Sequence, residues 1–230
     1  PNMPRAGLGE FRDRIVEALI AYSGGDADRI VEEAIALVSV EDVCLHVLQA
    51  ALIDIGERWE RRELGAGVEH FASSFVMRKF AALFNLSQPQ DGRGPILAAC
   101  VEGEHHEIGL LLTSLFLSRH GYQVIYLGAN LPSSDLIETV DDLRPAVVML
   151  SASTESAVDT LAETAAAIQS WERRRSYGTT PLVVGFGGRA FLDHVEWRDR
   201  VDAVFLGTDA REAVDRVEWV LAHVGSGIAS

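Results

Sequence analysis

The most chemically loaded stretch of the chain is Glu102-Gly103-Glu104-His105-His106-Glu107-Ile108-Gly109. Two adjacent histidines stand here among carboxylates. An imidazole binds a metal through one ring nitrogen, and a carboxylate on the other ring N–H fixes the tautomer and raises the ligand's basicity. Glu104 and His106 have the spacing for that relation. The same residues would also suit a solvated polar turn. A zinc site is not indicated, because no thiolate or further histidine stands at zinc-ligand spacing. Glu69-His70 forms a second carboxylate–histidine pair, and nine residues separate Trp59 from Glu69. Alone, these three would suit a helix surface and a bundle core.

The elements that must position these groups fall into two halves. Residues 8–87 carry helical periodicity throughout. Leu8, Phe11, Ile15, Leu19 and Tyr22 mark a first helix. Gly24-Gly25-Asp26 breaks it and caps a second, over Ala27 to Val38. A third runs from Val40 to Trp59 and a fourth from Gly67 to Leu86. Short connections between four helices predict a small bundle. Residues 88–94, polar and rich in Gly and Pro, form a linker. From 95 to 224 short apolar runs alternate with amphipathic segments. The runs are Ile96–Val101, Gln123–Leu127, Ala146–Leu150, Leu182–Val184 and Ala203–Leu206. Helical stretches follow at 107–120, 133–142, 156–170, 188–194 and 209–223. The fold class is therefore α/β: a four-helix bundle and a Rossmann-like, flavodoxin-like domain with a five-stranded parallel sheet.

In such sheets ligands sit outside the carboxyl ends of the strands. The residues there are small or polar: Glu104, His106 and Gly109; Gly128 and Asn130; Ser151, Ser153 and Thr154; Phe186, Gly187 and Gly188; Gly207 and Thr208. They leave room for a bulky group. Gly185-Phe186-Gly187-Gly188 follows the fourth strand and lacks the full phase of a dinucleotide fingerprint.

Composition bounds the partners. The chain has 230 residues, 48% of them hydrophobic and 23% charged, which fits an ordered globular protein with a real core. With 20 basic against 34 acidic residues the net charge is −14, which argues against direct nucleic-acid binding and against anionic membranes. The longest basic run is Arg173-Arg174-Arg175. Cys44 and Cys100 lie in apolar runs and read as buried thiols, consistent with a reducing cytoplasm. No apolar run is long enough to span a membrane, and no signal-peptide pattern opens the chain. Met3 reads as the natural start, with Pro1 and Asn2 as a scar.

These motifs resemble those of the cobalamin-binding family, whose pattern is Asp-x-His-x-x-Gly, about 41 residues, Ser-x-Leu, then Gly-Gly. Here Glu104-His105-His106-Glu107-Ile108-Gly109 is followed by residues 110–150, Ser151-Ala152-Ser153, and Gly187-Gly188. Glu104 replaces Asp, Ser153 stands where Leu is usual, and the gap to Gly187 is longer, through a polar segment near Trp171–Thr180. In the helical half, Trp59 and Glu69-His70 resemble the Trp-x9-Glu-His motif of CarH-type, MerR-family light-responsive regulators. The upstream helix-turn-helix of those regulators is not in this sequence.

The resemblance implies that His106 coordinates cobalt from below while Glu104 holds its imidazole. Ser151, Ser153, Gly187 and Gly188 would line a slot for the displaced nucleotide tail. Gly128 and Asn130 would border the corrin. Trp59, Glu69 and His70 would roof the upper face against a 5′-deoxyadenosyl group. The implied function is a non-enzymatic, cobalamin-binding sensor, a photoreceptor using adenosylcobalamin. Its output would be a change of arrangement or of homo-oligomer, read by a protein effector. The alternatives are a corrinoid methyl carrier of a methyltransferase system, and a sensor that binds haem or a bilin. Light-responsive relatives often carry a histidine directly after the tryptophan; this chain has Glu60. The Gly109 register selects His106 over His105. His46 and His120 read as structural, His194 and His223 as surface residues, and Trp171, Trp197 and Trp219 as packing.

Overall fold

A computed structural model describes residues 5–174 and 181–223. The proposed start at Met3, Arg175 of the basic run, the 176–180 part of the polar segment and the end of the second half at 224 lie outside the described residues. Two compact units divide between Ala82 and Leu83.

The first unit is helical: α1 (Arg5–Ile20), α2 (Gly24–Ile35), α3 (Val40–Val43), α4 (Ala50–Glu60) and α5 (Ala66–Ser87), with the π-helical turn Cys44–Gln49 joining α3 to α4. The apolar stripe of the sequence forms its core, with Ile15, Leu19, Ala27, Val31, Val43, Val47, Leu48, Ile55, Ala72, Val76 and Phe80 buried. Ser39 caps α3 by accepting the Asp42 N–H at 3.1 Å.

Two local expectations change. The Gly24-Gly25 pair does not break a helix; it opens α2. The reversal is made by Tyr22, which takes a left-handed conformation with φ 56° and sets its ring 5.4 Å from Phe71. The third helix is not uniform, because its middle widens into the π turn.

The second unit holds β1 (Arg93–Val101), α6 (Ile108–Arg119), β2 (Tyr122–Leu131), α7 (Ser133–Leu143), β3 (Val147–Ser151), α8 (Glu155–Arg174), β4 (Val183–Gly187), α9 (Ala190–Asp193), a 3-10 turn (Val195–Arg200), β5 (Val204–Phe205) and α10 (Ala210–His223). All strand pairs are parallel and the order is β2-β1-β3-β4-β5. This is the flavodoxin-like doubly wound sheet that the alternation predicts. β1 and β3 are buried along their inner length, as central parallel strands are. On one side Leu97, Val148, Leu150 and Phe186 pack against Leu136, Val140, Val158, Leu161 and Phe191.

The unit division falls inside α5, ahead of the 88–94 linker. The last turn of that helix packs with the sheet unit: Phe84 meets the Tyr126 ring edge-on at 6.1 Å, and Gln88 Nε2 donates to Val124 O at 3.3 Å. β1 also starts within the linker, at Arg93. α8 runs four residues past the expected end, to Arg174, so the polar segment near Trp171 begins as helix. Beyond β4 the single helix expected over 188–194 is short, and a 3-10 turn follows it. Among the described residues no helix is long and apolar enough to cross a membrane.

Candidate functional site

Strand order reverses between β1 and β3, and a ligand crevice is expected outside that switch point. Cys100, the second-last residue of β1, lies level with Ser151 at the end of β3, which lies level with Gly187 at the end of β4. The loop after β1 therefore opens beside the ends of β3 and β4, and it carries Glu104 and His106.

Glu104 is fully buried. One carboxyl oxygen accepts both the backbone N–H and the ring Nδ1 of His106, each at 2.7 Å. The other accepts the backbone N–H of Ser153, across the crevice from β1 to β3. Because the carboxyl takes Nδ1–H, the lone pair of the ring falls on Nε2. The His106 side chain is 70% exposed, so Nε2 is available to a ligand from outside. This is the geometry of an oriented metal-binding imidazole. His105 is exposed, and the Glu104 carboxyl bonds His106 rather than His105.

Two of the candidate glycines face open space. A Cβ added at Gly109 or Gly187 would meet nothing within 4 Å. Gly188 is different: φ is +116°, and an added Cβ would lie 2.1 Å from the carbonyl oxygen of Ala152. It lets β4 turn closely over the end of β3, where Ala152 N–H donates to Gly187 O at 3.1 Å. Ser151 is buried at the end of β3.

The other candidate residues make contacts within the protein. Asn130 uses its amide on the protein: its Oδ1 accepts Gly103 N–H at 2.8 Å, and its own N–H donates to Glu104 O at 2.9 Å. Thr154 caps α8, with Oγ1 accepting Ala157 N–H at 3.3 Å. Phe186 is a core side chain, with its ring 4.7 Å from Phe191 and 5.6 Å from Phe205. It offers the strand edge backbone only. Gly207 and Thr208 turn to α10, where Glu212 Oε2 accepts Thr208 N–H at 2.8 Å and its hydroxyl at 2.9 Å.

In the helical unit Glu69 Oε2 meets His70 Nδ1 at 2.8 Å while Glu69 Oε1 accepts the Ser73 hydroxyl at 2.6 Å. The His70 side chain is 79% exposed, so it repeats the arrangement of His106. Trp59 is 43% exposed near the end of α4, which a plain core residue would not be. His46 Nε2 lies 3.9 Å from Asp42, and His120 Nδ1 lies 2.8 Å from Phe116 O, both local contacts that fit structural roles. Trp171 and Trp197 pack on the sheet core. Trp219 departs from that expectation: it is 44% exposed and stacks on His223.

Tyr126, Glu107 and Cys100 were not singled out as site residues by sequence reasoning. Tyr126 O–H donates to Glu107 Oε2 at 2.6 Å. The signal for Glu107 was its place directly after the histidine; Tyr126 reads as an ordinary strand aromatic. Burial, with that hydrogen bond, raises the Tyr126 pKa well above the ordinary phenol range. Burial, with the nearby Glu104 and Glu107 carboxyls, pushes the Cys100 thiol up to about 12. The thiol is thus held neutral under the loop, with Sγ 3.9 Å from His106 O. Both groups keep their protons in the folded state after the unfolded chain has begun to lose them. Stability is therefore expected to fall as pH rises from the ordinary thiol value of 9.0 toward 12, by up to about 1.4 kcal/mol per pH unit for each group that titrates only on unfolding. Urea unfolding at pH 8 and pH 10 checks this; equal midpoints would contradict it. Both cysteines are buried and outside any disulfide, and neither is expected to react with iodoacetamide at pH 8 without denaturant.

The donor set and the open strand edge fit a corrinoid whose cobalt takes a protein imidazole. Family models described as "B12 binding domain" match residues 11–84 and residues 94–215. The chain is 33% identical to the HTH-type transcriptional repressor CarH of Myxococcus xanthus over 61% of its length. It spans about half of that repressor, 47%. It is 25% identical to the trimethylamine corrinoid protein of Methanosarcina barkeri, over 89% of this chain and 94% of that one. The solved structure of the Methanosarcina barkeri monomethylamine corrinoid protein shares the fold, with a TM-score of 0.74 at 19% identity, covering 92% of this chain and 99% of that one. The buried carboxyl, the imidazole it aims and the matched segments agree, and the chain belongs to the B12-binding domain family.

Proposed function

We infer that this chain is a cobalamin-dependent sensor in which His106 Nε2 is the lower axial ligand to cobalt. The Glu104–His106 pair carries the inference. When bound, cobalamin would supply a cobalt–alkyl bond that light can cleave. The residues of this chain do the rest. Glu104 fixes the imidazole tautomer. Gly187 and Gly109 leave room at the strand edge. Ser151 and Ser153 are assigned to the slot for the nucleotide tail. Trp59, Glu69 and His70 are assigned to the upper ligand on the strength of their spacing, with adenosylcobalamin as the form they suit.

The similarity to CarH supports the sensor. A switch of this kind needs two states that hold the upper ligand differently. A second reading has its own support: the trimethylamine corrinoid protein aligns over nearly its whole length, which favours a methyl carrier that works with methyltransferase subunits.

The test loads the protein with adenosylcobalamin in the dark, then records absorption and gel-filtration elution before and after green light. The sensor reading expects an irreversible spectral change together with a change in elution, reflecting rearrangement or a change of homo-oligomer. A spectral change with unchanged elution, combined with tighter binding of methylcobalamin, supports the carrier and contradicts the sensor. A purified protein that takes up haem or a bilin in preference to cobalamin contradicts both.

A further inference from the structure

The loop that carries His106 is tied to β2 at both ends. At its start Asn130 bonds Gly103 and Glu104. At its end the Tyr126 hydroxyl bonds Glu107, the residue after the histidine, at 2.6 Å. The Glu107 carboxyl also lies against Gly128, where an added Cβ would stand 3.0 Å from Oε2. The Tyr126 ring is in turn set edge-on to Phe84. The His106 ring is mostly exposed, so little side-chain packing fixes its direction. Its aim depends on Glu104 and on where its backbone is held.

We propose that Tyr126, acting through Glu107, is a positioning residue for His106. The hydroxyl pins the peptide that follows the ligand, as Glu104 pins the ring and Asn130 pins the peptide before it. Without the hydroxyl, the loop gains freedom that must be lost again each time Nε2 bonds a metal. The proposal rests on His106 being the cobalt ligand.

The experiment uses the whole chain loaded with cob(II)alamin and read by electron paramagnetic resonance in frozen solution. The protein is labelled with [15N]histidine, so cobalt on histidine gives lines split in two, cobalt on the cofactor's own base gives lines split in three, and cobalt with no axial nitrogen gives neither. In Tyr126→Phe the ratio of His-on to His-off cobalamin is expected to fall about 10-fold, the lower end of the cost of losing an outer-shell partner. Glu107→Ala is expected to match it, and the double variant to be no worse, because the two residues act through one bond. Glu107→Gln keeps a carbonyl oxygen for the hydroxyl and is expected to restore the His-on ratio. A loss of stability alone would not move this ratio. Unchanged nitrogen splitting and cobalamin affinity in both Tyr126→Phe and Glu107→Ala would overturn this proposal alone. A labelled wild-type protein without two-line splitting would overturn the His106 reading, and this proposal with it.

Discussion

Replacing Glu104 with alanine is expected to destabilise the sheet unit by about 3–5 kcal/mol and to abolish oriented cobalamin binding. The carboxyl is fully buried and serves the His106 backbone, the His106 ring and the Ser153 backbone. Alanine leaves those N–H groups without their acceptor and opens a void between β1 and β3. Each orphaned donor costs about 1–3 kcal/mol where water does not reach it. Glu104→Gln separates the parts of this effect. It fills the same space and keeps one acceptor oxygen, but its NH2 must face one of the same N–H donors. It is expected to fold with a loss of about 1–3 kcal/mol and to bind cobalamin with His106 poorly aimed. Chemical denaturation and cobalamin titration of both variants check this. Wild-type stability in Glu104→Ala would contradict the buried network.

Gly188→Ala is the second large effect. The added methyl would stand 2.1 Å from Ala152 O and 2.8 Å from the Ala152 backbone C and N, with φ at +116°. The obstacle is backbone, so no side chain can move aside. Conformational strain and the displacement of β4 from β3 are expected to total about 4 kcal/mol or more. Gly187→Ala is the contrast. It meets nothing within 4 Å and has no unusual φ, so its stability is expected to stay within about 1 kcal/mol of wild type. Its methyl still enters the space beyond β4, so cobalamin affinity is expected to drop while the fold holds. Thermal melts paired with cobalamin titration distinguish the two variants. Full affinity in a stable Gly187→Ala protein would mean that this strand end does not line the slot.

Much of this arrangement was legible in the residues. Alternating apolar runs and amphipathic stretches fixed a parallel sheet, because buried parallel strands must be apolar on both faces. The helical period gave the helices of the first half. The Glu104-x-His106 spacing gave the pair, and the Gly109 register chose between the histidines. What sequence did not show depends on tertiary contact. Phe186 sits next to two glycines in the chain, yet an aromatic ring at that pleat points into the core. Asn130 takes a left-handed backbone, φ 55°, and its amide accepts Gly103 N–H in the loop after β1, a contact that no local pattern encodes. Tyr126 has no local motif, and its role depends on the parallel pairing that sets β2 beside β1. The left-handed Tyr22 was hidden because glycines stood next to it, and the π turn keeps the same apolar spacing as an ordinary helix.

The central claim is that a protein nitrogen, from His106, takes the lower axial position on cobalt. The most direct test uses protein labelled with [15N]histidine, loaded with unlabelled cob(II)alamin and read by electron paramagnetic resonance beside the unlabelled protein and His106→Ala. Three-line splitting is expected with natural nitrogen, two-line splitting with the labelled histidine, and no nitrogen from the protein in His106→Ala. Three-line splitting that persists in the labelled protein would show that the cofactor's own base stays on cobalt, and would contradict the account.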